Sequence, residues 1–97
     1  MRFLISQKEQ LQEIIDHYGE DHQKDKALEE MAELQKEILK EKDGKGDIRH
    51  IIEELADVNV VLQQIQLVYG ITDEQIEQVV QEKIERTLDV IEGECNE

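Results

Sequence analysis

The sequence predicts an all-α domain with a four-helix bundle-like arrangement, and three observations carry that prediction. The 97 residues include no Pro and only 3% aromatics, and the long runs are built from Glu, Gln, Lys, Leu and Ile, residues that favour helices. Apolar residues recur at three- and four-residue spacing along most of the chain, the period of a helix with one buried face. The interruptions are short and carry glycine, at Gly19, at residues 43–47 and at Gly70, which marks turns between helices. A chain this short has no room for two cores, so residues 1–97 are expected to form a single domain.

Taken in order, the first helix should start at Ser6, because Ser6-Gln7-Lys8-Glu9 has the capping-box form in which hydroxyl and Glu satisfy each other's free backbone donors. Leu11, Ile14, Ile15 and Tyr18 then give a core-covering face, and Gly19 suits the residue that ends the helix. The second helix should run from about residue 21 to about residue 41, with Ala27, Met31, Leu34 and Ile38 as its apolar stripe. The turn at 43–47 follows, and Asp47 can cap the third helix, which extends to about Tyr69 with Gly70 ending it. Its main stripe is Ile51, Leu55, Val58, Leu62, Ile65 and Tyr69. Val60, Val61, Leu67 and Val68 spread apolar surface around the rest. A helix apolar nearly all round is buried nearly all round, and four short helices from one chain can hardly cover it, so a second chain is expected to do so, in a homo-oligomer. The fourth helix opens with Thr72-Asp73-Glu74-Gln75, a second capping box, with Ile71 and Ile76 in staple positions. Ile76, Val80, Ile84, Thr87, Leu88 and Ile91 form its expected inner face, and the tail from Gly93 should fray.

Charge narrows the function classes. Eleven basic and 25 acidic residues give a formal net charge of −14, which argues against nucleic-acid backbone binding and against anionic membrane surfaces. Met1-Arg2-Phe3-Leu4-Ile5 is too short an apolar run for a signal peptide, and nothing approaches a transmembrane span. Cys95, the single cysteine, cannot form an internal disulfide, which points to a reducing, cytoplasmic setting.

The acids are not evenly spread. Glu29-Glu30-Met31-Ala32-Glu33 and Glu53-Glu54-Leu55-Ala56-Asp57 share one pattern on the second and third helices. A three-residue spacing puts both carboxylates of each pair on one helix face, and both pairs stand in the same phase to their apolar stripes. If the two helices fold back antiparallel, Glu30, Glu33, Glu54 and Asp57 converge. Two carboxylates ~4 Å apart repel by about 4 kcal/mol at an effective dielectric near 20, so such a cluster needs protons or a cation. Magnesium, which prefers oxygen ligands and bridges carboxylates to phosphates, is the expected cofactor. Other metals fit less well: neither pair has the Glu-x-x-His of a di-iron bundle, there is no EF-hand loop, and His17, His22 and His50 lack ligand-like spacing for zinc. The histidines read as surface or capping residues, His22 also as a candidate base contact. Gln23, Lys26 and Glu37 share the edge of the stripe that carries Glu30 and Glu33. Lys83 and Arg86 are the only basic pair of the fourth helix, and phosphate contact or pairing with nearby acids both account for them.

Glu30-x-x-Glu33, a gap of 20 residues and then Glu54-x-x-Asp57 resembles the signature of the MazG-like all-α nucleoside triphosphate pyrophosphohydrolases. The resemblance covers roughly residues 17–92 and takes in Tyr18-Gly19, Gln23-x-x-Lys26 and Lys83-x-x-Arg86. It implies hydrolysis between the α and β phosphates of a nucleoside triphosphate, magnesium dependence with manganese as a substitute, and a dimer or dimer of dimers with sites near subunit interfaces. By motif position it implies that Glu30, Glu33, Glu54 and Asp57 are metal ligands and catalytic acids. One of them, or Glu37, would orient the attacking water, and Gln23, Lys26, Lys83 and Arg86 would be substrate contacts. The chain is shorter than larger relatives and lacks Trp to stack a base. Two alternatives stand beside this reading: a phosphoribosyl-ATP pyrophosphohydrolase-type activity, and a non-catalytic acidic bundle that binds a basic partner protein.

Overall fold

A computed structural model describes residues 7–95, which form α1 (Gln7–Tyr18), α2 (Glu20–Lys42), α3 (Ile48–Tyr69) and α4 (Asp73–Cys95), with no strand among the described residues. Among the described residues, no helix is long and apolar enough to cross a membrane. The expected cap at Ser6 lies outside the described residues.

The turns form where the sequence places them, each by a visible device. Gly19 adopts φ +95° and donates its N–H to Ile15 O at 2.7 Å, and α2 begins at the very next residue. At the far end of α2, Gly44 N and Lys45 N bond back to Glu41 O and Lys40 O. Gly46 then passes so close to α2 that a Cβ there would lie 2.5 Å from Glu41 Cα, so a side chain at this position would collide with backbone. Asp47 caps α3 by accepting from Arg49 N at 2.9 Å. Gly70 ends α3 in the left-handed region at φ +66°, the conformation glycine adopts without steric penalty. The second capping box forms: Gln75 N donates to Thr72 Oγ1 at 3.1 Å and Thr72 N donates to Gln75 Oε1 at 2.8 Å.

α2 and α3 make the most extensive helix pair, and α1 packs on both. Their direction is antiparallel: His50 meets Glu37 next to the turn, Asp57 meets Glu30 further along, and Tyr69 meets Lys24 at the far end. The core of this three-helix unit is small, with Leu11 and Ile15 from α1, Ala27 from α2, and Val58 and Val61 from α3.

α4 departs from the expected bundle. It packs against none of the other three helices, and among the described residues its start is tied to α3 by Gln66 Nε2 donating to Asp73 Oδ1 at 3.0 Å. Its expected inner face is exposed throughout, Ile84 at 47% for example. The helix also continues through Gly93 to Cys95, further than expected. Within one chain, therefore, the bundle has three helices and a free fourth. The consequence shows in size: the radius of gyration is 17.2 Å, against about 13 Å for a compact 100-residue domain.

The apolar stripe of α3 is corrected as well. The buried row is Val58, Val61 and Gln64, whereas Leu55, Leu62 and Tyr69 are exposed. At about 100° per residue, Glu54 sits between Val58 and Val61, in the middle of the packed face and not at its edge. In α1, Ile14 and Tyr18 are likewise more exposed than a core role requires.

Candidate metal centre

The antiparallel α2–α3 pair places acids opposite acids. Glu30, Glu54 and Asp57 each direct a carboxylate oxygen into one group, all within 4.8 Å of one another. Glu54 is half-buried, and its Oε2 is the one buried side-chain oxygen or nitrogen without a hydrogen-bond partner among the described residues. Burial raises its pKa above the ordinary 4.5, and the negative charges of Asp57, Glu30, Glu33 and Glu37 raise it further. A buried, unsatisfied carboxylate is unfavourable unless something compensates it.

Among the described residues, one cation reaches the group. Lys26 Nζ lies 3.3 Å from Glu30 Oε1, one turn away on the same helix. That bond and the charges of Glu29 and Glu30 raise the lysine's pKa. Lys26 is largely exposed and serves Glu30 from the solvent side, leaving Glu54 unpaired.

A hard divalent cation fits this donor set. All three donors are carboxylate oxygens, the ligand type magnesium takes. These oxygens lie within 4.8 Å of one another, so side-chain adjustments would bring them to one ion. The orphaned Glu54 oxygen is the atom such an ion would satisfy.

The other site residues read from the sequence fall into three groups. Glu33 is half-buried on α2 and near enough to raise the Glu54 pKa, yet it is not among the three oxygens that meet. Glu37 is tied to Lys40 Nζ at 3.7 Å and faces His50 Nδ1 at 3.9 Å, closer to the turn than the cluster. Gln23 is buried and, with Lys26, lines a cavity that Glu30 and Asp57 also line. Lys83 and Arg86 lie on α4, exposed and, within one chain, on a helix that packs against none of those bearing the acids.

Three cavity residues carried little or no weight in the sequence reading: Tyr18, His22 and Gln64. Gln64 lies two turns beyond Asp57 on the same helix face, but Gln63 and Gln66 beside it keep it from standing out in the sequence. Compared with family models, curated proteins and solved structures, the chain matches none.

Proposed function

We propose that this protein is a magnesium-dependent pyrophosphohydrolase of nucleoside triphosphates that works as a homo-oligomer in the cytoplasm and clears unwanted nucleotides. The observation that carries the proposal is the unpartnered, buried Oε2 of Glu54 in the midst of Glu30 and Asp57, a negative cluster built into a helix interface and left short of positive charge.

Glu30, Glu54 and Asp57 would hold the ion, with Glu33 beside them to join the ligands or to accept a proton. Magnesium, when bound there, would supply charge neutralisation of the polyphosphate. In the proposed reaction a water oxygen would bond to the α phosphorus as the bond from that phosphorus to the α–β bridging oxygen breaks, pyrophosphate would leave with the electron pair, and a cluster carboxylate would take the water's proton. Phosphoryl chemistry of this kind rests on positioning and electrostatics, which suits a chain without a nucleophile–base pair. Lys26, on the solvent side of Glu30, stands where an incoming phosphate would exchange one anionic partner for another.

A second copy completes the molecule in this reading. The accessible surface is 7905 Å², against about 5,800 Å² expected for a folded monomer of this mass. The excess has the size of a stable protein–protein interface. α4 brings Ile76, Val80, Ile84, Leu88 and Ile91 to that surface, and α3 brings Leu55 and Leu62. Pairing these faces between copies would carry Lys83 and Arg86 toward a neighbouring site.

The test is pyrophosphate release from the common ribo- and deoxyribonucleoside triphosphates with magnesium, for wild type and Glu54→Ala. Release from any member that disappears in the variant or with chelator is the expected result. No release above blank from folded, magnesium-supplied protein would overturn the proposal for these substrates and move the search to phosphoribosyl-ATP and to a binding role.

A further inference from the structure

A groove of about 660 Å³ opens between α1 and α3. Leu11 and Ile14 of α1 and Leu55, Ala56 and Val60 of α3 give it an apolar floor, and its polar residues are amides, Gln10 and Gln63 among them. Among the described residues no charged side chain lines it, in a chain of which 37% is charged. Ile14 and Val60 also line the cavity that Glu30 and Asp57 line, so the groove and the candidate metal centre have a wall in common.

α4 has the opposite need. Ile76, Val80, Ile84, Leu88 and Ile91 are exposed, and their spacing puts them on one side of the helix. The rest of α4 is acidic, with eight Asp and Glu residues against Lys83 and Arg86. Its own chain does not fold it back. Gly70 N and Ile71 N donate to Leu67 O and Gln66 O, Thr72 and Gln75 cap each other, and Gln66 holds Asp73. The connection is bonded along its length, which fixes the direction in which α4 leaves α3, clear of the other helices. Charge then selects the cover. Two α4 helices side by side would set acids against acids, and like charges across an interface are costly. The uncharged groove takes the apolar stripe and leaves the acids in water. Each chain exposes 7905 Å² where about 5,800 Å² is usual for its mass, and covering one helix face and one groove per copy brings that surface toward a compact fold.

From the uncharged groove, the acidic amphipathic helix and its bonded connection, we infer that α4 of each copy lies in the α1–α3 groove of a second copy. The exchange is reciprocal about a two-fold axis, so it closes at two chains. It rests on the homo-oligomer proposed above and names the contact that makes it. Each groove receives a fourth helix from the partner, and that helix covers the Ile14–Val60 wall of the cavity beside Glu30 and Asp57. The site of one chain is thus completed by the other.

Charge reversal and complementation test it, with association read by sedimentation equilibrium and native mass spectrometry. Gln10→Glu with Gln63→Glu puts negative charge on both walls of the groove and should weaken association at least about tenfold. Gln10→Lys with Gln63→Lys should strengthen it, a reversal with sign that a merely structural role would not give. The lysine form carries the test if the glutamate form does not fold. Ile84→Glu with Leu88→Glu spoils the helix and leaves the groove intact. The groove-glutamate chain and the helix-glutamate chain should each be monomeric where wild type is dimeric. Mixed in equal amounts they should form a species with one chain of each kind, because the intact helix of the first enters the intact groove of the second. A mixture that stays monomeric, or groove variants that associate like wild type, would overturn the exchange and leave a dimeric wild type paired through other faces. A monomeric wild type would overturn both the exchange and the proposed assembly. Pyrophosphate release from wild type reads the hydrolysis separately: if mixing restores the pair and no pyrophosphate appears, the hydrolysis falls and the exchange stands.

Discussion

Glu30 on α2 and Glu54 on α3 point at each other across the helix pair, with carboxylate oxygens within 4.8 Å and Asp57 completing the group. The contact is electrostatically unfavourable by itself, and it lies on the packed face of α3, not on its solvent side. Stability and site are therefore in tension at one place.

That tension has a pH signature. The folded-state pKa of Glu54 is raised above 4.5, first by burial and then by Asp57, Glu30, Glu33 and Glu37. A raised value means that the folded state holds its proton more tightly than the unfolded chain. The corresponding stability is fully present below 4.5 and is lost as pH rises through the raised pKa. In metal-free protein the melting temperature of wild type should fall across that window more than that of Glu54→Gln. Parallel curves for the two proteins would contradict this account of the cluster.

The turn between α2 and α3 sets the register that brings the acids together. Gly46→Ala places a methyl group against the Glu41 backbone and should lower stability by about 1–3 kcal/mol, the usual range for overpacking. Denaturant unfolding measures it, and a neutral result would mean that the turn yields easily.

The three-helix core is small enough that single residues matter. Ile15→Ala removes a side chain only 4% exposed and should lower stability by about 2–5 kcal/mol. Leu39→Ala, at a largely exposed position on α2, should change it far less. Equal effects in urea unfolding would contradict the core as described.

Assembly should depend on the free helix. Light scattering should give wild type a mass of at least two 11.4 kDa chains, and Ile84→Glu with Leu88→Glu should return it to one. A monomeric wild type would leave the α4 stripe without the proposed partner.

The helices, their turns and both described caps were legible in the sequence because each depends on local signals: glycines at the positive-φ turns, Asp47 before α3, and Thr72 with Gln75. Three of the four expected acids, Glu30, Glu54 and Asp57, do meet, because three-residue spacing on two adjacent helices fixes a shared face, while Glu33 stands outside the group. What was not legible is which side of α3 packs. Its surface is apolar nearly all round, so periodicity does not distinguish the face toward α2, with Val58 and Val61, from the face with Leu55 and Leu62. For the same reason the free position of α4 was missed: an amphipathic pattern says that a face needs cover, and not whether its own chain provides it. Gln64 was passed over because Gln63 and Gln66 stand beside it in the sequence, and only the packing reveals which of the three is buried beside a cavity.

Magnesium titration followed by calorimetry tests the central claim most directly, since it depends neither on a chosen substrate nor on turnover. Wild type should bind the ion and release protons on binding as pH falls toward the raised pKa of Glu54, because ion and proton compete for the same oxygen. Glu54→Gln, which keeps the shape and removes the charge, should bind at least about tenfold more weakly, and the metal-dependent rise in melting temperature should shrink with it. Binding of equal strength in wild type and variant, or none in wild type, would contradict a metal centre at Glu30, Glu54 and Asp57.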